Sequence, residues 1–150
     1  MSIEDDVALL ERIPTLRLLG TTAMRMLAIG SEQRDLASGD VLFRAGDDAD
    51  AGFIVQRGAL RIADGAGAEV IAGPGSLIGE LALITAMQRP SSATAVEYSS
   101  VIRITRSLFQ RVLESDPAAA RRLRDELANR TSQIANDMLV AGAKLTIRQS

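Results

Sequence analysis

From about Arg34 to Thr105, short apolar runs alternate with breaks rich in glycine and aspartate, and few folds accept that pattern. Val41-Leu42-Phe43 precedes Gly46-Asp47-Asp48, and Phe53-Ile54-Val55 precedes Gly58. Leu60-Arg61-Ile62 precedes Asp64-Gly65-Ala66-Gly67, Val70-Ile71 precedes Gly73-Pro74-Gly75, and Val101-Ile102-Arg103-Ile104 closes the series. Each run is too short for a stable helix, and each break suits a turn. Strands repeating every ~8–12 residues imply an antiparallel sandwich or barrel. Aromatic residues are few, so Phe43 and Phe53 are expected in its core rather than as ligand platforms.

Helical periodicity flanks this unit. Val7, Leu9, Leu10 and Ile13 recur at helical spacing until Pro14 interrupts them. A second helix is expected after Gly20, capped by Thr21 or Thr22, with Met24, Leu27 and Ile29 on its buried side and Gly30 at its end. After Thr105, Leu108, Phe109 and Val112 predict a short helix ending near Ser115. Asp116-Pro117 then supplies an N-cap and a proline at the first helical position of a long helix, Ala118 to about Leu145. The expected class is α+β in one domain of 150 residues: N-terminal helices at about 3–30, a β unit at about 34–105 and C-terminal helices at about 106–145. A chain of this size buries roughly 70% of the surface it exposes when unfolded, enough for a core.

Composition removes whole classes of chemistry. The chain has neither cysteine nor histidine, so thiolate catalysis, Ser-His-Asp triads and the usual zinc sites are excluded. With 17 basic and 19 acidic side chains it lacks the basic excess of a nucleic-acid-binding domain. All the basic residues except Lys144 are arginine, which reads as compositional bias. No apolar run approaches the ~20 residues of a membrane span, and the acidic start Glu4-Asp5-Asp6 is unlike a secretory signal. A soluble cytoplasmic protein without metal or cofactor, and without catalytic activity, is the expectation. Asp47, Asp48 and Asp50 lack the ligand count calcium requires and suit a solvated turn.

One loop carries more chemistry than the rest of the chain. Gly79-Glu80-Leu81-Ala82-Leu83-Ile84 is followed, nine residues after Glu80, by Arg89, then Ser91, Ser92 and Thr94. Gly79 permits a left-handed turn and close approach of a ligand to the main chain. Glu80 is expected to start a short helix through Ala86. An ionised carboxylate only accepts hydrogen bonds, which suits it to a sugar hydroxyl. The amides of Leu81 and Ala82 at the helix start favour an anion. A carboxylate beside a phosphate is repulsive and needs a cation, and the planar fork of Arg89 can meet two phosphate oxygens at once. Ser91 and Ser92 are small hydroxyl donors placed to finish such a cradle.

Gly-Glu-Leu-Ala-Leu, an arginine nine residues after the glutamate and a small-residue segment behind it resemble the phosphate-binding cassette of cyclic nucleotide-binding domains. These domains occur in catabolite-activator-type regulators, the regulatory subunit of protein kinase A and cyclic-nucleotide-gated channels. The resemblance runs from about Thr21 to about Asp137. It includes Ser38 to Asp47, which looks like the early β-hairpin, and Phe53 to Gly58, which looks like the next strand and turn. It implies a jelly-roll-like β-roll of about eight strands between helices. It further implies Glu80 on the ribose 2′-hydroxyl, backbone amides from Gly79, Leu81 and Ala82, and Arg89 on the cyclic phosphate. Counting back from Ala93-Thr94 instead puts Ser91 in the arginine slot, with Pro90, Ser91 and Ser92 lengthening the loop.

The function implied is a regulatory module that binds a cyclic nucleotide, cAMP or cGMP, and signals by moving its C-terminal helices. Ile134, Met138 and Leu139 are candidates to cover the base. Leu127, Thr131, Ile134, Met138, Ala141 and Leu145 form a heptad seam suited to a homodimer or a partner protein. No helix-turn-helix, membrane span or kinase-docking segment is legible, so neither nucleic acid nor membrane is an expected partner. The alternative is a scaffold of the same fold with a degenerate pocket.

Overall fold

The computed structural model describes residues 3–126 and 128–129. Helix α1 (Ile3–Glu11) carries Glu4, Asp5 and Asp6 in its first turn, where negative charge complements the helix dipole. Pro14 opens α2 (Pro14–Arg17) at a position that needs no N–H. Helix α3 (Thr21–Gly30) begins at the carbonyl of Gly20, which accepts from the Met24 amide at 3.1 Å; no threonine side chain caps it. Its buried stripe is Ala23, Met24, Leu27 and Ala28. Ile29, expected on that stripe, is 66% exposed because it falls one position outside the 3.6-residue repeat.

Ten strands follow: β1 (Glu32–Leu36), β2 (Val41–Phe43), β3 (Asp48–Ala49), β4 (Ala51–Arg57), β5 (Leu60–Ala63), β6 (Glu69–Ala72), β7 (Leu77–Ile78), β8 (Met87–Gln88), β9 (Ser92–Ala95) and β10 (Ser99–Thr105). They form two antiparallel four-stranded sheets, ordered β1-β10-β4-β7 and β2-β9-β5-β6, and a ribbon of β3 with β8. The first sheet is covered on both faces. Phe53, Val55 and Val101 point at the second sheet and join Leu36, Leu60, Ile78, Ala93 and Ala95 in the core between sheets. Ile54, Ile102 and Ile104 point the other way, onto Leu10, Leu16, Leu27 and Phe109 of the helices. Burial on both sides explains why β4 and β10 read as nearly continuous apolar runs.

Helix α4 (Arg106–Ser115) is capped by Thr105, whose hydroxyl accepts from the Leu108 amide at 3.1 Å. The expected Asp116 cap is present: its carboxylate accepts from the Ala119 amide at 3.1 Å, and residues 117–126 are helical. Leu127, the remaining seam residues, and Ile134, Met138 and Leu139 lie outside the described residues. Among the described residues no helix is long and apolar enough to cross a membrane, and no three acidic side chains group to hold a metal.

Candidate nucleotide-binding site

Strand β7 delivers Gly79 in the left-handed region, at φ 76°. The chain then tightens into a single 3-10 turn, Glu80–Leu83, rather than the helix through Ala86 that the sequence suggests. The turn ends early because Met87 and Gln88 pair with β3 across the ribbon. Ala82 and Leu83 are buried, and Leu83 joins the helix-side core, which anchors the turn. The other end is fixed by backbone bonds: Arg89 N–H donates to Asp47 O at 2.7 Å, and Gly46 N–H donates to Arg89 O at 2.8 Å.

That anchoring sends the Arg89 side chain inward, where the residue is only 6% exposed. Its guanidinium lies 4.2 Å from the Phe43 ring centroid and 5.5 Å from that of Phe53, within cation–π range. One terminal nitrogen donates to Ala51 O at 2.7 Å. Its buried Nε has no hydrogen-bond partner among the described residues. Burial lowers the guanidinium pKa from its ordinary value; the charges of Asp50 and Asp47 oppose that shift and Arg103 adds to it. The group remains cationic, since arginine is not deprotonated in proteins. Gly79 makes the placement possible: a Cβ there would stand 2.5 Å from the other terminal nitrogen of Arg89.

Beside the guanidinium lies a cavity of about 200 Å³ lined by Phe43, Ile62, Ile78, Gly79, Glu80, Leu81, Met87, Arg89, Pro90 and Ser91. Five of the expected site residues therefore line one cavity: Gly79, Glu80, Leu81, Arg89 and Ser91. The other two stand behind it. Ala82 is fully buried and its amide donates to Gly79 O at 3.1 Å, within the turn. The Ser92 hydroxyl accepts from the Ala45 amide at 2.8 Å and braces the neighbouring hairpin. Both candidates for the phosphate slot, Arg89 and Ser91, reach the cavity, and Arg89 alone brings a positive charge to it. Glu80 lines the cavity, and one of its carboxylate oxygens accepts from the Thr15 hydroxyl of α2.

Sequence reasoning placed Phe43 in the core without a ligand role; it is half-buried and forms the cavity wall on which Arg89 lies. Its place in an alternating strand beside a cassette is the only advance signal. Met87, Ile62 and Ile78 were not singled out either, because each belongs to a short strand with no distinctive motif.

An acidic residue and a buried cation of opposite charge thus line a small apolar-walled cavity beside a tight glycine turn. Comparison with known proteins gives the family of the chain. The family model of the cyclic nucleotide-binding domain matches residues 33–116, more than half of the chain. A cyclic nucleotide-binding-like protein from Brucella abortus is 36% identical, with a TM-score of 0.65 over 73% of this chain and 98% of that one. The N-terminal domain of a transcriptional regulator from Streptomyces coelicolor is 27% identical, with a TM-score of 0.79 over 87% of this chain and 94% of that one. Lysophospholipase nte1 of Neurospora crassa is 28% identical over 118 residues, which are 75% of this chain and 8% of the lysophospholipase. On the family match and the Brucella likeness together, the chain belongs to the cyclic nucleotide-binding domain family.

Proposed function

We propose that the chain is a regulatory sensor that binds a cyclic nucleotide, cAMP in the first instance, in the cavity between Arg89 and Glu80. The observation that carries this reading is the state of Arg89: a buried cation with an unpartnered Nε on the wall of a cavity. A buried, incompletely paired charge is costly, and an anionic ligand supplies what it lacks. The cyclic phosphate docks on Arg89, and the ribose 2′-hydroxyl donates to Glu80. Apolar walls from Ile62, Met87 and Phe43 take the remainder of the ligand. No part of the reading asks the site to break a bond, so the chain acts as a switch and not as an enzyme.

Output runs through α4. The Arg106 side chain donates from a single terminal nitrogen to Ala49 O, Ala82 O and Thr85 O at 2.9–3.0 Å, joining the start of α4 to the cassette turn. Leu83 and Phe109 share the helix-side core. A shift of the turn on ligand binding therefore moves α4 and the helix behind it.

A thermal-shift panel of cAMP, cGMP, 5′-AMP and no ligand tests the reading. At a hundredfold excess over the dissociation constant, the bound nucleotide should stabilise the fold by ~2.7 kcal/mol. Arg89→Ala should abolish the shift while Ser91→Ala weakens it less. No shift with millimolar cAMP or cGMP defeats the assignment. The reverse order of the two variants moves the phosphate to the Ser91 register.

A further inference from the structure

The buried polar side chains among the described residues are Thr15, Arg89, Ser99 and Ser100. Ser99 and Ser100 are occupied within the sheets, bonding to Ala59 and Glu97 carbonyls and to Asp35. Thr15 is different. It is 4% exposed, sits on a helix outside the β-roll, and its hydroxyl crosses 65 residues of sequence to donate to Glu80. Two of the four buried polar residues are thus tied to the cavity: Arg89 lines it, and Thr15 bonds to Glu80, which also lines it.

Building on the nucleotide assignment above, we propose that Thr15 is a positioning residue: it holds the Glu80 carboxylate in the orientation that reads a ligand's ribose 2′-hydroxyl. A glutamate on a one-turn loop has several rotatable bonds, and fixing them when ligand arrives weakens binding. Thr15 fixes them beforehand. Its own side chain is stiff because it is β-branched. Its helix is pinned by Pro14 at the N-terminus and by Leu16, which is fully buried in the helix-side core. A carboxylate has acceptor sites for more than one donor, so the Thr15 bond and a ribose hydroxyl coexist on it. The bond also draws charge away from the phosphate side of the cavity. The N-terminal helices therefore take part in choosing the ligand.

The test compares cAMP with 2′-deoxy-cAMP by calorimetric titration of the full chain. Wild type should favour cAMP by about tenfold or more, as expected for a hydrogen bond to a charged acceptor. Thr15→Val, close in shape but without the donor, should reduce that preference about fivefold and leave 2′-deoxy-cAMP affinity within about twofold. Thr15→Ser should restore the preference. Equal weakening of both nucleotides by Thr15→Val, or no change in either, overturns the role of Thr15 and leaves the nucleotide assignment standing. Failure of the wild type to bind either nucleotide overturns both. Should Thr15→Val not fold, the unaltered chain serves: the Thr15 methyl resonance should move with cAMP and stay in place with 2′-deoxy-cAMP, and equal movement rejects the proposal.

Discussion

Gly79 is the residue on which the cassette geometry turns. A side chain there meets two penalties at once: the left-handed backbone, about 1–2 kcal/mol for a residue with a Cβ, and a Cβ 2.5 Å from the Arg89 guanidinium. Gly79→Ala should lower stability by about 1–3 kcal/mol and weaken nucleotide binding more than tenfold, because the guanidinium must shift out of its slot between Phe43 and Gly79. Denaturant unfolding and nucleotide titration of the same variant check both effects. Asp35 offers a separate test at this scale. Its carboxyl is held below the ordinary aspartate value of 3.8, first by the Ser100 hydroxyl and then by Gln33 and Tyr98. A depressed value means that the ionised form stabilises the fold above the ordinary aspartate pKa, and that this contribution disappears as pH falls through the folded value. Asp35→Asn should therefore melt lower than wild type at pH 7, and the two melting temperatures should converge in strong acid. A gap that stays constant with pH would mean that the carboxylate charge is not the cause.

At the scale of elements, Arg106 is the tie between cassette and output helix. Removing its three bonds to carbonyl oxygens with Arg106→Met should cost about 1–3 kcal/mol. It should leave nucleotide affinity within severalfold but uncouple α4. Hydrogen exchange reports this directly: nucleotide should slow exchange across residues 106–115 in wild type and not in the variant. Equal protection in both would show that coupling passes through Leu83 and Phe109 packing instead. Such ties also mark what a sequence conceals. The strands β4, β5 and β10 are legible because burial forces apolar residues into them; β2 and β6 are legible by their β-branched and apolar runs, although Val41, Val70 and Ile71 are exposed. Strand β1, Glu-Gln-Arg-Asp-Leu, was not: it is an edge strand with four of its five residues exposed, held by its backbone ladder to β10. The two-residue strands β3, β7 and β8 are shorter than any period. The Glu80–Arg89 spacing survived as a signal because a single loop carries both groups. The ring pair beside Arg89 did not, since Phe43 and Phe53 stand on different sheets and meet only when these pack, 5.9 Å apart. Thr15 and Arg106 were equally invisible, each acting across a long loop in sequence.

The described residues carry two cores that share one sheet, and the cavity is lined by Phe43, Ile62 and Ile78 of the core between the sheets. This arrangement sets stability against function at Arg89. In the free protein its cation is desolvated, bonded to Ala51 O and left with an unpartnered Nε; its neighbours are the faces of two phenylalanines. Cation–π contact and one charged hydrogen bond offset part of the desolvation, and ligand phosphate supplies the rest. If the guanidinium were there for the fold, Arg89→Met would unfold it, since a buried side chain would lose its hydrogen bond to Ala51 O. If it is there for the ligand, methionine fills nearly the same volume beside Phe43 and Phe53, loses one hydrogen bond and relieves the buried charge. The balance is expected to be neutral or to favour the variant by about 1 kcal/mol. Free Arg89→Met should therefore melt at or above wild type, while saturating cAMP should raise the melting point of wild type alone. The two unfolding curves should then cross as nucleotide is added. Parallel curves, with the variant lower throughout, would assign Arg89 to the core and remove the cation on which ligand binding rests.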